Sequence, residues 1–273
     1  MRSFRSDLAV EARALSGGTD IPGVRMEQLR LGELTETVVE IVDERGAAAL
    51  GKPCGRYVTL ESPQLALPEA ELSQMAIDRL AHTLSAMLPE LGAVLVIGLG
   101  NRRITADSLG PRVVDNVLVT RHMRETTPQS VKGRLRCVSA VSPGVLGVTG
   151  LETAEVVQGI VEHAKPEAVI AVDALAARET SRICATLQVS DTGIQPGSGV
   201  GNHRLGLNAE DGDHAAALDA MVDRVVEKRL GDLVVTPREV DERVAHMAQM
   251  LSEGVNRALQ SRLSPAEIPA LMN

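Results

Sequence analysis

Ala168-Val169-Ile170-Ala171-Val172-Asp173 is a short, wholly apolar run closed by a carboxylate. A run of that length has no polar face to offer water, so it reads as a strand buried on both sides of a parallel sheet. A second run, Val94-Leu95-Val96-Ile97, leads through Gly98-Leu99-Gly100-Asn101 to another carboxylate, Asp107. Open α/β sheets carry their chemistry beyond the carboxyl ends of such strands. Asp107 and Asp173 are therefore candidates for one rim. Two carboxylates there could share a proton, one acting as base and the other as acid, which is what activating water against a peptide bond requires.

Outward from these runs the chain alternates strand and helix. Val38–Val42 and Tyr57–Leu60 have strand composition. After Pro68, Leu72, Ala76, Leu80, Leu84 and Leu88 recur every fourth residue and predict a helix. The strand at 94–98 leads into a helix near 110–121, and a strand near 136–141 leads through Pro143-Gly144 to a helix at about 151–164. Thr149-Gly150-Leu151-Glu152 reads as a capping box for that helix. Ile183–Val189 alternates as a further strand. The tail is helical, its last long helix opening with Thr236-Pro237-Arg238-Glu239 and carrying a stripe of Val240, Val244, Met247, Leu251 and Val255. Residues 1–33 are polar and broken by glycines, and read as an arm rather than core. The expected fold is one α/β domain over residues 1–273: a mainly parallel sheet flanked by helices in three layers, with an N-terminal β-rich extension over about 8–66.

Composition narrows the function. Phe4 and Tyr57 are the only aromatic residues, and there is no Trp, which argues against a base-stacking surface. With 28 basic and 36 acidic residues the net charge is −8, the wrong sign for a protein that grips nucleic acid by its own field. Cys54, Cys137 and Cys184 are too far apart for a CxxC site and suggest reduced thiols in the cytoplasm. The opening residues include no long apolar stretch, so neither export nor a membrane span is expected. His82, His122, His163, His203, His214 and His246 are scattered, without the spacing a metal site needs. No metal and no cofactor is expected.

Each candidate also has a plainer reading. Asp107 precedes a predicted helix and could be its N-cap; Asp173 could close an Asx turn at a strand end. Gly98-Leu99-Gly100 lacks the third glycine of a dinucleotide fingerprint, since Arg103 stands there. A tight turn that brings backbone close to a substrate fits it better. The loop at 193–202 is glycine-rich but is no phosphate loop, and Pro196 excludes a nucleophile elbow around Ser198. Gly98, Gly100, Asn101, Gly197 and Gly199 are thus possible substrate-binding positions.

Further blocks carry a resemblance. Gly55-Arg56-Tyr57-Val58-Thr59-Leu60-Glu61-Ser62, Asp107-Ser108-Leu109-Gly110-Pro111, Asp115-Asn116, Pro143-Gly144-Val145, Asp173-Ala174-Leu175-Ala176-Ala177-Arg178 and the 190–202 loop resemble the germination protease family of endospore-forming bacteria. The resemblance implies that Asp107 and Asp173 are the catalytic pair of an aspartic-type endopeptidase. It implies a homotetramer that degrades small acid-soluble spore proteins in the forespore; the charge and the lack of a long apolar stretch leave no direct nucleic-acid or membrane partner expected. It also implies a zymogen that removes its own N-terminal peptide. Asp7-Leu8-Ala9-Val10-Glu11 fits the family's processing pattern, giving cleavage between Asp7 and Leu8 and a propeptide of residues 1–7. One departure stands out. Where the family carries another buried strand after Gly-Val-Gly-Asn, Leu205–Asp213 here run into a segment that reads as helix. Two other readings remain open: a hydrogenase-maturation type, metal-dependent endopeptidase, and an inactive homologue that binds spore proteins.

Overall fold

The computed structural model describes residues 8–16, 21–124, 131, 133–175, 182, 184–193, 214–221 and 240–272. In chain order its elements are α1 (Ala9–Leu15), β1 (Val24–Leu31), β2 (Leu34–Ile41), α2 (Glu44–Leu50), β3 (Gly55–Glu61), α3 (Ala70–Met87), β4 (Val94–Gly98), α4 (Leu109–Val114) and β5 (Val138–Val141). They continue with α5 (Leu146–Thr149), α6 (Thr153–Ala164), β6 (Ala168–Ala174), β7 (Thr186–Ser190), β8 (His214–Met221), α7 (Val240–Leu259) and α8 (Glu267–Leu271).

The eight strands among the described residues form one sheet in the order β1-β2-β3-β7-β8-β6-β4-β5. β8, β6, β4 and β5 run parallel. β1, β2, β3 and β7 are joined to one another, and to β8, by antiparallel ladders. The expected parallel core and β-rich N-terminal extension are both present, as two halves of a mixed sheet.

Burial explains the apolar runs. Along β4, Val94 and Val96 face one core while Leu95 and Ile97 face another; along β6, Ile170 and Val172 join the first, Val169 and Ala171 the second. The first face is covered by α3, α4 and α7 through residues such as Leu80, Leu84, Val113, Met247 and Leu251. The second is covered by α6 through Val157. A strand with helices on both sides has no face left for polar residues. The predicted stripes of α3 and α7 are buried along their lengths. No helix among the described residues is long and apolar enough to cross a membrane.

Several expectations need correction. The N-terminal segment is not a bare arm: Leu8 and Ala9 are fully buried, and α1 packs with α2 against Val39, Ile41 and Tyr57. Its neighbour β1 lacks a hydrophobic face because it is an edge strand exposed almost throughout, paired only with β2. The stretch after residue 213 forms strand β8 rather than helix, inserted between β6 and β7. His214-Ala215-Ala216-Ala217-Leu218-Asp219-Ala220-Met221 is rich in the best helix former, yet hydrogen bonding on both edges overrides that preference. α4 stops at Val114, well short of residue 121. The chain can leave the helix there because Asn256 of α7 accepts from the Leu118 N–H at 2.8 Å and donates to the Asn116 carbonyl at 2.9 Å. The Thr149–Glu152 box does not cap α6, whose N-cap Glu152 makes no side-chain cap bond. Instead the Thr149 hydroxyl, within α5, donates to the Val145 and Leu151 carbonyls. The box at Thr236–Glu239 lies outside the described residues.

Candidate active site

β4 and β6 are neighbours in parallel register, Gly98 beside Val172. One further bond, Leu99 N–H to the Val172 carbonyl at 2.8 Å, continues the ladder past the end of β4. Asp173 is the next residue, near the end of β6 and half-buried. From Leu99 the chain folds back over this rim. Gly110, at the start of α4, sits so close that a Cβ there would lie 2.4 Å from the Leu99 carbonyl oxygen and 2.5 Å from that of Val172. Only a glycine lets the helix stand on the strand ends.

Asp107 is delivered by the intervening loop. It closes the 3-10 turn Thr105–Asp107, also half-buried, and Cα atoms of this turn and of β6 approach within 8 Å. The Asn101 N–H donates to Asp107 Oδ2 at 2.9 Å, and the Asp107 N–H donates to the Ile104 carbonyl at 2.9 Å. Gly100 has φ +115°, and a Cβ on it would lie 2.1 Å from the Asp107 carbonyl oxygen. The space beside Gly100 is therefore filled by the turn itself, and the Asn101 N–H is engaged by Asp107. Both were candidates for holding substrate, and both stand against the Asp107 turn.

Asp107 is not an N-cap: Ser108 occupies that place for α4, and makes no side-chain cap bond. Asp173 Oδ1 accepts from the N–H of the next residue, Ala174, at 2.8 Å, a local bond of the kind strand-end aspartates make. Asp107, in the turn after β4, and Asp173, near the end of β6, thus lie at the same end of the sheet. At such a rim a carboxylate pair can hold one proton between them and present both a base and an acid to water.

The other predicted positions fall apart from this pair or beyond view. Gly98 ends β4, beneath the start of α4. Leu8 is fully buried and packs with Val10 against Leu175, two residues after Asp173. The Ala9 N–H donates to Gln188 Oε1 of β7 at 2.9 Å, and buried Glu11 lies 3.7 Å from Arg182, which also approaches Glu61 at 3.3 Å. The residues just past the expected cleavage point are therefore anchored to β7 and to Leu175, just past the end of β6. Asp7, Gly197 and Gly199 lie outside the described residues. Two residues near the rim had no signal in the sequence. Asp219 of β8 stands in register beside Asp173, and Asp241 of α7 reaches the Asp107 turn.

The family model described as germination protease matches residues 6–215. A germination protease of Caldanaerobacter subterraneus subsp. tengcongensis is 38% identical over 318 aligned positions, covering 99% of this chain and 98% of its own. Those 318 positions exceed the 273 residues here, so at least 45 of them have no counterpart in this chain. Germination proteases of Clostridium acetobutylicum, 36% identical over the whole of both chains, and of Bacillus cytotoxicus, 45% identical over 76% of this chain and 59% of its own, are also similar. Among solved structures, a NiFe hydrogenase maturation protease HycI from Thermococcus kodakarensis KOD1 matches with a TM-score of 0.40 and 19% identity, over 63% of this chain and 98% of that one. That likeness is too slight to bear on fold or function. The protein is a peptidase by kinship: the chain belongs to the germination protease family.

Proposed function

We propose that this chain is an endopeptidase that opens the degradation of small acid-soluble spore proteins during germination, and that Asp107 and Asp173 are its catalytic pair. The observation that carries the reading is that the turn bearing Asp107, which follows β4, approaches the end of β6 that bears Asp173, on one rim of the sheet. Family membership supports the substrate class. In the proposed cycle one aspartate is ionised and takes a proton from water as the oxygen attacks the scissile carbonyl carbon. The other is protonated and donates to the carbonyl oxygen. As the adduct collapses and the C–N bond breaks, the ionised acid takes a proton from an adduct hydroxyl while the protonated one gives its proton to the leaving amine, so the pair ends with the single proton it began with.

The same reading extends to a zymogen cut between Asp7 and Leu8, and to a homotetramer in the forespore cytoplasm. Leu8 and Glu11 are buried anchors, so processing there would remove residues 1–7 and leave α1 docked. Digestion of a purified small acid-soluble spore protein, with the products mapped by mass, tests the activity. The wild-type chain is expected to make discrete internal cuts, and Asp107→Asn and Asp173→Asn none. Undiminished cutting by either variant would overturn the assignment.

A further inference from the structure

We infer that Asp241, in the first turn of α7, is a positioning residue that holds the Asp107 turn in register, an inference that rests on reading Asp107 as catalytic. Side chains close a ring around that turn. Asp241 Oδ1 accepts from the Thr105 hydroxyl at 2.9 Å and lies 3.8 Å from Arg112 Nη2. Arg112 Nε donates to the hydroxyl oxygen of Ser108 at 3.0 Å, and that hydroxyl donates to the Thr105 carbonyl at 2.8 Å. Thr105 and Ser108 bracket Asp107, so both flanks of the acid are tied to one clamp.

The clamp answers a physical need. A single 3-10 turn is weakly self-supporting, and this one follows Arg102, Arg103 and Ile104, which are exposed. Catalysis needs reacting groups held to a fraction of an ångström. α7 supplies a fixed point: Val244, Met247 and Leu251 in its next turns are fully buried. Asp241 lies outside residues 6–215, so the segment matched by the family model does not contain its own anchor. The plainer account is that Asp241 only favours the N-terminus of α7 through the helix dipole. That account predicts a change in stability and none in turnover. Because the Asp241 side chain is exposed, its removal leaves the core intact.

The test measures kcat, KM and Tm for cleavage of a small acid-soluble spore protein by the full chain. Asp241→Ala and Thr105→Val are each expected to lower kcat on the order of 10- to 100-fold with KM within about twofold, the double variant falling no further. Asp241→Asn and Thr105→Ser keep the acceptor and the donor, and are expected to retain most of the turnover. Unchanged kcat in Asp241→Ala and Thr105→Val, beside an inactive Asp107→Asn, would overturn the positioning role alone. Loss of turnover in Thr105→Ser equal to that in Thr105→Val would also overturn it. Full activity in Asp107→Asn would remove the catalytic reading, and the clamp with it.

Discussion

At the carboxyl ends of β4 and β6 stand Asp107 and Asp173; at the amino ends of the same parallel strands, a cavity of about 520 Å³ is lined by Arg121, Arg134, Arg136, Lys165 and Arg262, with Glu90 and Glu167 among them. The guanidinium groups there serve the backbone. Arg136 donates to the Gly92 carbonyl at 3.0 Å and the Pro89 carbonyl at 2.8 Å, and Arg121 to the Ala164 carbonyl at 3.0 Å. Arg134 holds the Arg262 carbonyl at 2.8 Å and pairs with Glu267. At the other end a loop with a left-handed glycine folds back on itself to orient a half-buried acid. Charge at the amino end closes the fold. Charge at the carboxyl end stands where open α/β sheets do chemistry.

That contrast predicts different penalties at the two ends. The largest concerns self-processing. Incubated at mildly acidic pH, the wild-type chain is expected to lose residues 1–7 and start at Leu8, while Asp107→Asn and Asp173→Asn stay whole by intact-mass spectrometry. Gly100→Ala comes next, because it puts a Cβ 2.1 Å from the Asp107 carbonyl oxygen at φ +115°. It should cost about 2 kcal/mol in urea unfolding and also lower turnover, since the displaced atom belongs to the acid. A smaller effect is expected at the amino end. Arg136→Ala leaves the Pro89 and Gly92 carbonyls without their donor and should lower stability by about 1–3 kcal/mol with kcat unchanged. A fall in kcat comparable to that of Gly100→Ala would erase the contrast.

The smallest effect is a pH dependence at the same end. The Arg134 side chain, then the Ser264 N–H and hydroxyl, hold the Glu267 carboxyl at about 2, below its ordinary 4.5. A carboxyl depressed by folding stabilises fully above its unfolded value and loses that contribution as pH falls through the folded one. The Tm gap between wild type and Glu267→Gln should therefore be constant above pH 4.5 and close as pH falls toward about 2. A gap that widens on acidification would contradict the pairing.

The parallel core was legible in the sequence because it is written locally, whereas Asp107 and Asp173 each kept a plainer reading and were singled out by the family resemblance. A strand buried on both faces is apolar at every position. What escaped was written at long range. Leu8 and Ala9 look like part of a polar arm until Leu175 and Gln188 meet them. β8 reads as helix because its alanines favour one, and only β6 and β7 on its two edges make it a strand. That the Asn101 N–H meets the Asp107 carboxylate also escaped, since a glycine in a sequence does not say whose atoms approach it. Asp241 had no signal at all, its partner Thr105 standing 136 residues away.

The most direct test of a catalytic pair at the rim is kcat/KM for cleavage of a small acid-soluble spore protein by wild type, Asp107→Asn, Asp173→Asn and the double variant. If the two acids work as one unit, each single change should cost roughly 10³-fold or more and the double change no more than either. A single variant with wild-type kcat/KM, or losses that multiply in the double, would contradict the account.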